Sequence, residues 1–186
     1  MKVFIMRHAH SVGNDKAVID SIAPQFDLGL SEKGSRQAEA LINTLNAYTF
    51  DVFFVSPLTR TIDTIQPYLD TLSDPKVIIN TLTLERDAGS FIGKPLLAIK
   101  DYCEEHNIKD MISFTPQGGE SILDVYARAK EFLTFLKNTF NHESILICGH
   151  KNFLACLEIL INNKDIMSFY SLHFLENGEI REFSIH

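Results

Sequence analysis

The stretch IMRHAHSVGN, residues 5–14, sets Arg7 directly before His8 and places a second histidine, His10, two positions further on. A histidine can act as nucleophile, proton carrier or metal ligand. An arginine beside it favours an anionic ligand, because the guanidinium presents paired N–H donors. Residues two apart on an extended strand face the same side, so His8 and His10 are also spaced for a shared metal. A divalent ion prefers carboxylate neighbours, whereas the immediate neighbour here is Arg7, which weighs against that use. Two further stretches carry similar groups: SPLTR ends in Arg60, and CGHKN contains His150 followed by Lys151.

Each of these stretches follows a short apolar run. Val3 to Met6, Val52 to Val55 and Ser144 to Cys148 read as buried strands, and Lys76 to Ile79 as a shorter one. Helical spacing appears between them. Ser31 caps a helix with Ala38, Leu41, Ile42 and Leu45 on one face. Ser56 and Pro57 are placed as N-cap and first residue of another. A long helix runs from Ser121 with Ile122, Val125, Ala129, Phe132 and Leu136 inward, and one more from about Asn152 to Ile161. Leu96 to His106 is a further helix. Residues 85–95, broken by Gly89, Gly93 and Pro95, read as a loop, and Pro116 to Gly119 as a turn. Asn177-Gly178 between two strand-like runs signals a hairpin.

This alternation predicts an α/β fold: a three-layer sandwich with a mainly parallel central sheet, helices on both faces and a C-terminal antiparallel hairpin. The 186 residues are expected to form a single domain over 1–186. Sheets of this kind bind ligands beyond the carboxyl ends of their strands. Arg7 and His8, Arg60, and His150 all fall at that rim. In a chain with a formal net charge of −7, this gathering of cationic and imidazole groups makes an oxyanion site, with phosphate as its natural occupant.

The acidic balance argues against nucleic-acid or anionic-membrane partners. No apolar stretch is long enough for a membrane span, and the N-terminal apolar run is too short for a secretion signal, so a cytoplasmic location is expected. Cys103, Cys148 and Cys156 are odd in number and lack a CxxC spacing, which predicts free thiols rather than a disulfide or zinc site.

Arg7-His8 with Ser11 and Asn14 after it resembles the signature of the histidine phosphatase superfamily, which includes the cofactor-dependent phosphoglycerate mutases. The resemblance extends, in order, through LSEKGSRQAEAL, SPLTRTIDT, LERDAGSFIGK, PQGGES and ILICGHKNF. It implies that His8 is the nucleophile and forms a phosphohistidine. It implies that Arg7, Arg60 and His150 hold the phosphoryl oxygens, with Asn14 adding a hydrogen bond. Ser11 of the signature and Lys151, a positive charge at the pocket mouth, are placed with the phosphate-binding residues. Glu85 would protonate the leaving oxygen and then activate water. Neither metal nor cofactor is implied. Nearby arginines would disfavour the imidazolium form of His8.

The sequence departs from the family pattern at Ala9 and Lys151, where glycine is usual, at His10, where an acid or amide is common, and at Ile92. These changes bear on the substrate before they bear on the chemistry. A phosphatase acting on a small phosphorylated molecule is expected, because 186 residues leave little room for the insertions with which mutases enclose a bisphosphate. LERDAG nevertheless resembles the mutase sequence, with Arg86 available for a substrate carboxylate or second phosphate. A phosphohistidine-protein phosphatase and a non-catalytic phosphate-binding scaffold are the other readings; Glu85 argues against the first, and the intact set of Arg7, His8, Arg60, Glu85 and His150 against the second. Phe26, Phe91 and Phe114 lie in the specificity loops, where core packing is the expected role of each. The oligomeric state is left open.

Overall fold

The computed structural model describes residues 1–185. Its centre is a five-stranded sheet in the order β3-β2-β4-β1-β5, formed by β1 (Lys2–Arg7), β2 (Val52–Val55), β3 (Val77–Ile79), β4 (Ser144–Gly149) and β5 (Ile180–Ser184). The first four strands are parallel, and β5 runs antiparallel to β1 with Val3 opposite Phe183. The three inner strands are near-continuous apolar runs because both of their faces are covered. Val3 and Ile5, Val52 and Phe54, and Ile145 and Ile147 face one way. They pack on α5 (Ile122–Thr139) and α6 (Lys151–Ile161) through Phe132, Leu136, Phe153 and Leu157. Phe4 and Met6, Phe53 and Val55, and Leu146 and Cys148 face the other way. They meet Leu41 and Leu45 of α2 (Glu32–Leu45) and Ile65, Tyr68 and Leu69 of α3 (Thr59–Leu69). The layers are those expected.

Local chemistry sets the helix starts. The Ser31 hydroxyl accepts from the Gly34 amide at 3.1 Å, and Ser121 and Asp124 form a reciprocal capping box on α5. Gly34 is required by close approach: a Cβ there would lie 1.9 Å from the His10 carbonyl oxygen. Two short helices lie in the loops, α1 (Val12–Asp15), capped by Ser11, and α4 (Ala98–Glu105).

Two local expectations are corrected. α3 begins at Thr59 after an extended Leu58 that makes no side-chain cap, so Ser56-Pro57 is not its first turn. The Ser56 hydroxyl lies instead 2.8 Å from His150 Nε2, and Thr61 Oγ1 donates to the Ser56 and Leu58 carbonyls. The terminal hairpin has only its second arm as a strand, β5, paired with β1. The turn is present at Gly178, with φ of +77°, but the run before it leads its backbone to the site rather than along β5. Cys103, Cys148 and Cys156 are buried and unbridged, as expected. Among the described residues no helix is long and apolar enough to cross a membrane.

Candidate active site

β1, β2 and β4 stop side by side, with Arg7 opposite Gly149 and Val55 opposite Cys148. The chain leaving each strand therefore delivers its polar residues to one end of the sheet. His8 follows β1, is 4% exposed, and donates its backbone N–H to the Gly149 carbonyl. Its Nδ1 lies 2.7 Å from the Ala9 carbonyl oxygen. His150, the residue before α6, is fully buried, and its ring centroid lies 5.3 Å from that of His8. Ala9 is anchored through its N–H to Thr64 Oγ1, and that hydroxyl donates to the Arg60 carbonyl. The first turns of α3 and the strand exit of β1 are thus tied to each other.

Arg7 and Arg60 flank the pair. Arg7 Nη1 donates to the Leu175 carbonyl at 2.9 Å. Arg60 is 1% exposed, donates through Nη2 to the Ser21 carbonyl at 2.8 Å, and lies 3.5 Å from Asp27 and 3.8 Å from Asp20. Those carboxylates fix the guanidinium without enclosing it. Arg7 Nε, Arg60 Nε and His150 Nδ1 are buried and have no hydrogen-bond partner in the protein. Burial, then Arg60 and Arg7, push the His8 pKa well below the ordinary 6.5. The same happens to His150 through burial, Arg60 and His8. Both imidazoles are neutral at physiological pH.

Glu85 reaches the site from the loop before α4. Its Oε1 accepts from the Arg86 amide at 2.7 Å and from the Asn152 amide, in the first turn of α6, at 3.2 Å. Arg128 of α5 supports this segment. It donates to the carbonyls of Leu82, Leu84 and Glu85 and pairs with Glu120 at 2.8 Å. Arg86 is 7% exposed, and it donates through Nε and Nη2 to the Glu120 and Phe114 carbonyls.

Arg7, His8, Asn14, Arg60, Glu85 and Lys151 all border one cavity of about 490 Å³. Asn14 Oδ1 accepts from the Ser11 amide and from Asn177 Nδ2, which leaves the Asn14 amide nitrogen as the donor. His150 is not among the residues that line the cavity, and it reaches the site through its neighbour His8. Ser11 does not border the cavity either: its hydroxyl accepts from the Asn14 amide and donates to Asp20 at 3.0 Å. His10 diverges from His8, its Nδ1 lying 2.9 Å from Ser31 Oγ. The two rings thus occupy different surroundings. Lys151 Nζ sits 4.4 Å over the Phe174 ring.

Sequence reasoning missed Asp20, Ser21, Asn152 and Tyr170, which also border the cavity. The first two lie on an irregular loop, and nothing in their spacing marks them. Asn152 was visible beside His150, but its contribution is a backbone amide, which the residue type does not disclose. Phe26, Phe91 and Phe114 stay off the cavity wall. Phe91 and Phe114 pack with Tyr102, and Phe26 lies against Gly93.

A buried neutral histidine beside two arginines and a carboxylate is equipped to accept a phosphoryl group and to hand a proton to the group that leaves. A sequence model of the histidine phosphatase superfamily (branch 1) matches residues 3–186. Phosphoserine phosphatase 1 of Hydrogenobacter thermophilus is 27% identical over 179 residues, 92% of this chain and 81% of that protein. The 2,3-bisphosphoglycerate-dependent phosphoglycerate mutase of Rhizobium etli is 30% identical over 168 residues, 83% of this chain and 77% of that protein. Among solved structures, the alpha-ribazole phosphatase from Shigella flexneri superposes with a TM-score of 0.87 at 21% identity, covering 100% of this chain and 91% of that one. A mycobacterial glucosyl-3-phosphoglycerate phosphatase superposes with a TM-score of 0.82 at 21% identity, covering 98% and 92%.

Proposed function

The chain belongs to the histidine phosphatase superfamily, and from that footing we propose that it hydrolyses phosphomonoesters through a phosphohistidine on His8, without a metal. The observation that carries this reading is the set of buried, unpartnered nitrogens, two guanidinium N–H groups and one imidazole nitrogen. Arg7 Nε, Arg60 Nε and His150 Nδ1 all belong to residues gathered around one neutral histidine. Burying an N–H donor without an acceptor costs free energy, and an oxyanion at His8 would offset that cost.

In the first half-reaction, His8 Nε2 forms a bond to phosphorus as the bond to the alcohol oxygen breaks. Glu85, acting as the general acid, delivers a proton to that oxygen, and the alcohol departs. Arg7, Arg60 and His150 stabilise the charge on the transferring group, with Asn14 and Lys151 at its margin. In the second half-reaction, water attacks phosphorus, the Glu85 carboxylate takes a proton from the water, and the P–N bond breaks to return neutral His8 and inorganic phosphate. Ser11 acts by holding Asp20 and the start of α1 rather than by touching the phosphate.

Phosphoglycerate mutase chemistry is a second reading, supported by the Rhizobium etli relative and by Arg86 on the cavity wall. The two readings share the phosphoenzyme and differ in where the phosphoryl group goes next. The test is phosphate release from phenyl phosphate with a chelator present, comparing wild type with His8→Ala. Release that survives the chelator and vanishes in the variant is expected. Loss with the chelator, or full activity in His8→Ala, overturns the proposal. Isomerisation of 3-phosphoglycerate without phosphate release selects the mutase.

A further inference from the structure

The cavity has two unlike sides. One carries the phosphate chemistry. The other is built from residues 96–111 and from the 3₁₀ turn Ile166–Ser171 with the chain just after it. These segments contribute Leu96, Leu97, Ile99, Met111, Tyr170 and Phe174 to the wall. Leu96 is 51% exposed, Leu97 63% and Tyr170 49%, so much of this apolar surface is open to solvent. The Tyr170 hydroxyl is taken up by the Met111 carbonyl, at 3.4 Å. The Phe174 ring is covered on one side by the Lys151 ammonium.

Neither segment brings a carboxylate, a carboxamide or a serine or threonine hydroxyl to the cavity; their polar contribution is Lys100 and the edge of Tyr170. Against these two segments a sugar or an amino acid leaving group would lose hydrogen bonds to water and find only Lys100 and the Tyr170 edge in exchange; Asp20, Ser21, Arg86 and Asn152 border the cavity from other segments. An apolar one loses nothing and gains contact. Several large apolar side chains left half-exposed at the mouth of one cavity mark a binding surface rather than ordinary surface scatter.

We propose that the wall made by Leu96, Leu97, Ile99, Met111 and Tyr170 selects phosphomonoesters whose leaving group is an apolar alcohol, aliphatic or aromatic. This rests on the hydrolytic reading above and narrows it. The phosphate is gripped by Arg7, Arg60 and His8, and the alcohol portion lies along the wall.

The test is a series of n-alkyl phosphates from ethyl to hexyl. The leaving oxygen has nearly the same basicity throughout, so the series isolates apolar contact from chemical reactivity. A fully buried methylene raises kcat/KM about fourfold and a half-buried one about twofold, as follows from ~0.8 kcal/mol per methylene. A rising series is expected, and Leu97→Asn, on a side chain the fold leaves exposed, is expected to lower the hexyl-to-ethyl ratio. In parallel, calorimetry with the matching n-alkyl phosphonates reads the wall without turnover. A flat or falling kcat/KM series with phosphate still released overturns the apolar wall and leaves the hydrolase. No turnover of any ester, with phosphonate affinity rising along the series, overturns the hydrolase and keeps the wall. No turnover with flat affinity overturns both.

Discussion

His8 Nδ1 lies 2.7 Å from the carbonyl oxygen of Ala9, the next residue in the chain. A carbonyl can only accept, so Nδ1 carries the proton and the lone pair is left on Nε2. The backbone thereby fixes the tautomer a nucleophile needs, and it does so before any substrate arrives. Burial and the two arginines hold the ring neutral well below the ordinary histidine range. Protonation of His8 is then the acid limit of catalysis, and that limit lies below pH 6.5. The pH profile of kcat/KM on a phosphomonoester checks this: rate retained as pH falls past 6.5 is expected, and a limb centred at 6.5 or above contradicts it. His8→Asn should form no acid-labile phosphoenzyme.

The same two imidazoles tie stability to pH. His8 and His150 both have folded-state values well below the 6.5 of an unfolded chain. Between those values the unfolded state binds more protons than the native one, so stability is complete above about pH 6.5 and falls as pH is lowered. Each such group contributes a slope of about 1.4 kcal/mol per pH unit within its window. Urea unfolding between pH 7.5 and 5.5 should show the fall, and His150→Gln should make it shallower. An unchanged slope in that variant would mean His150 titrates normally.

Glu85→Gln separates the two proton transfers from the phosphoryl transfer. On an alkyl phosphate, whose leaving oxygen needs a proton, the rate should drop about 10²- to 10⁴-fold. On p-nitrophenyl phosphate, whose leaving group departs as an anion, phosphoenzyme formation should fall far less. Burst kinetics on the two substrates give the comparison. Activity of this variant surviving on a phosphohistidine protein would instead favour a protein phosphatase.

Arg128 touches no part of the cavity, yet it donates to the carbonyls of Leu82, Leu84 and Glu85 and pairs with Glu120. Arg128→Leu should cost roughly 2–4 kcal/mol of stability, because several carbonyls and a carboxylate lose a charged donor at once. It should also lower kcat more than it raises KM, since Glu85 is displaced while Arg7 and Arg60 keep their grip. Denaturation together with kinetics at low temperature, where the variant is folded, tests both halves.

Much of this architecture was legible in residue patterns. The buried strands are unbroken apolar runs, and the helices carry one apolar stripe each, so the sheet and its layers follow from periodicity alone. The convergence of Arg7, His8, Arg60 and His150 follows from where such strands end. The failures were side chains whose partners lie far along the chain. Ser56 has every local mark of an N-cap, but the His150 ring competes for its hydroxyl from 94 residues away. The run before Asn177 alternates like a strand, but Arg7 takes the Leu175 carbonyl and Asn177 takes that of His8. The apolar wall was invisible for a different reason. Its residues come from two loop segments whose conformations no periodicity encodes, and exposed leucines have no signature until the cavity beside them is seen.

His8 and the clasp around it come from widely separated segments of the sequence. Asn177 Nδ2 donates to the His8 carbonyl and to Asn14 Oδ1, the Gly178 amide to the Arg7 carbonyl, and Arg7 itself to Leu175, 168 residues on. The geometry that would take up a phosphoryl group is therefore complete only once segments 168 residues apart have met, a long-range closure that local structure cannot replace.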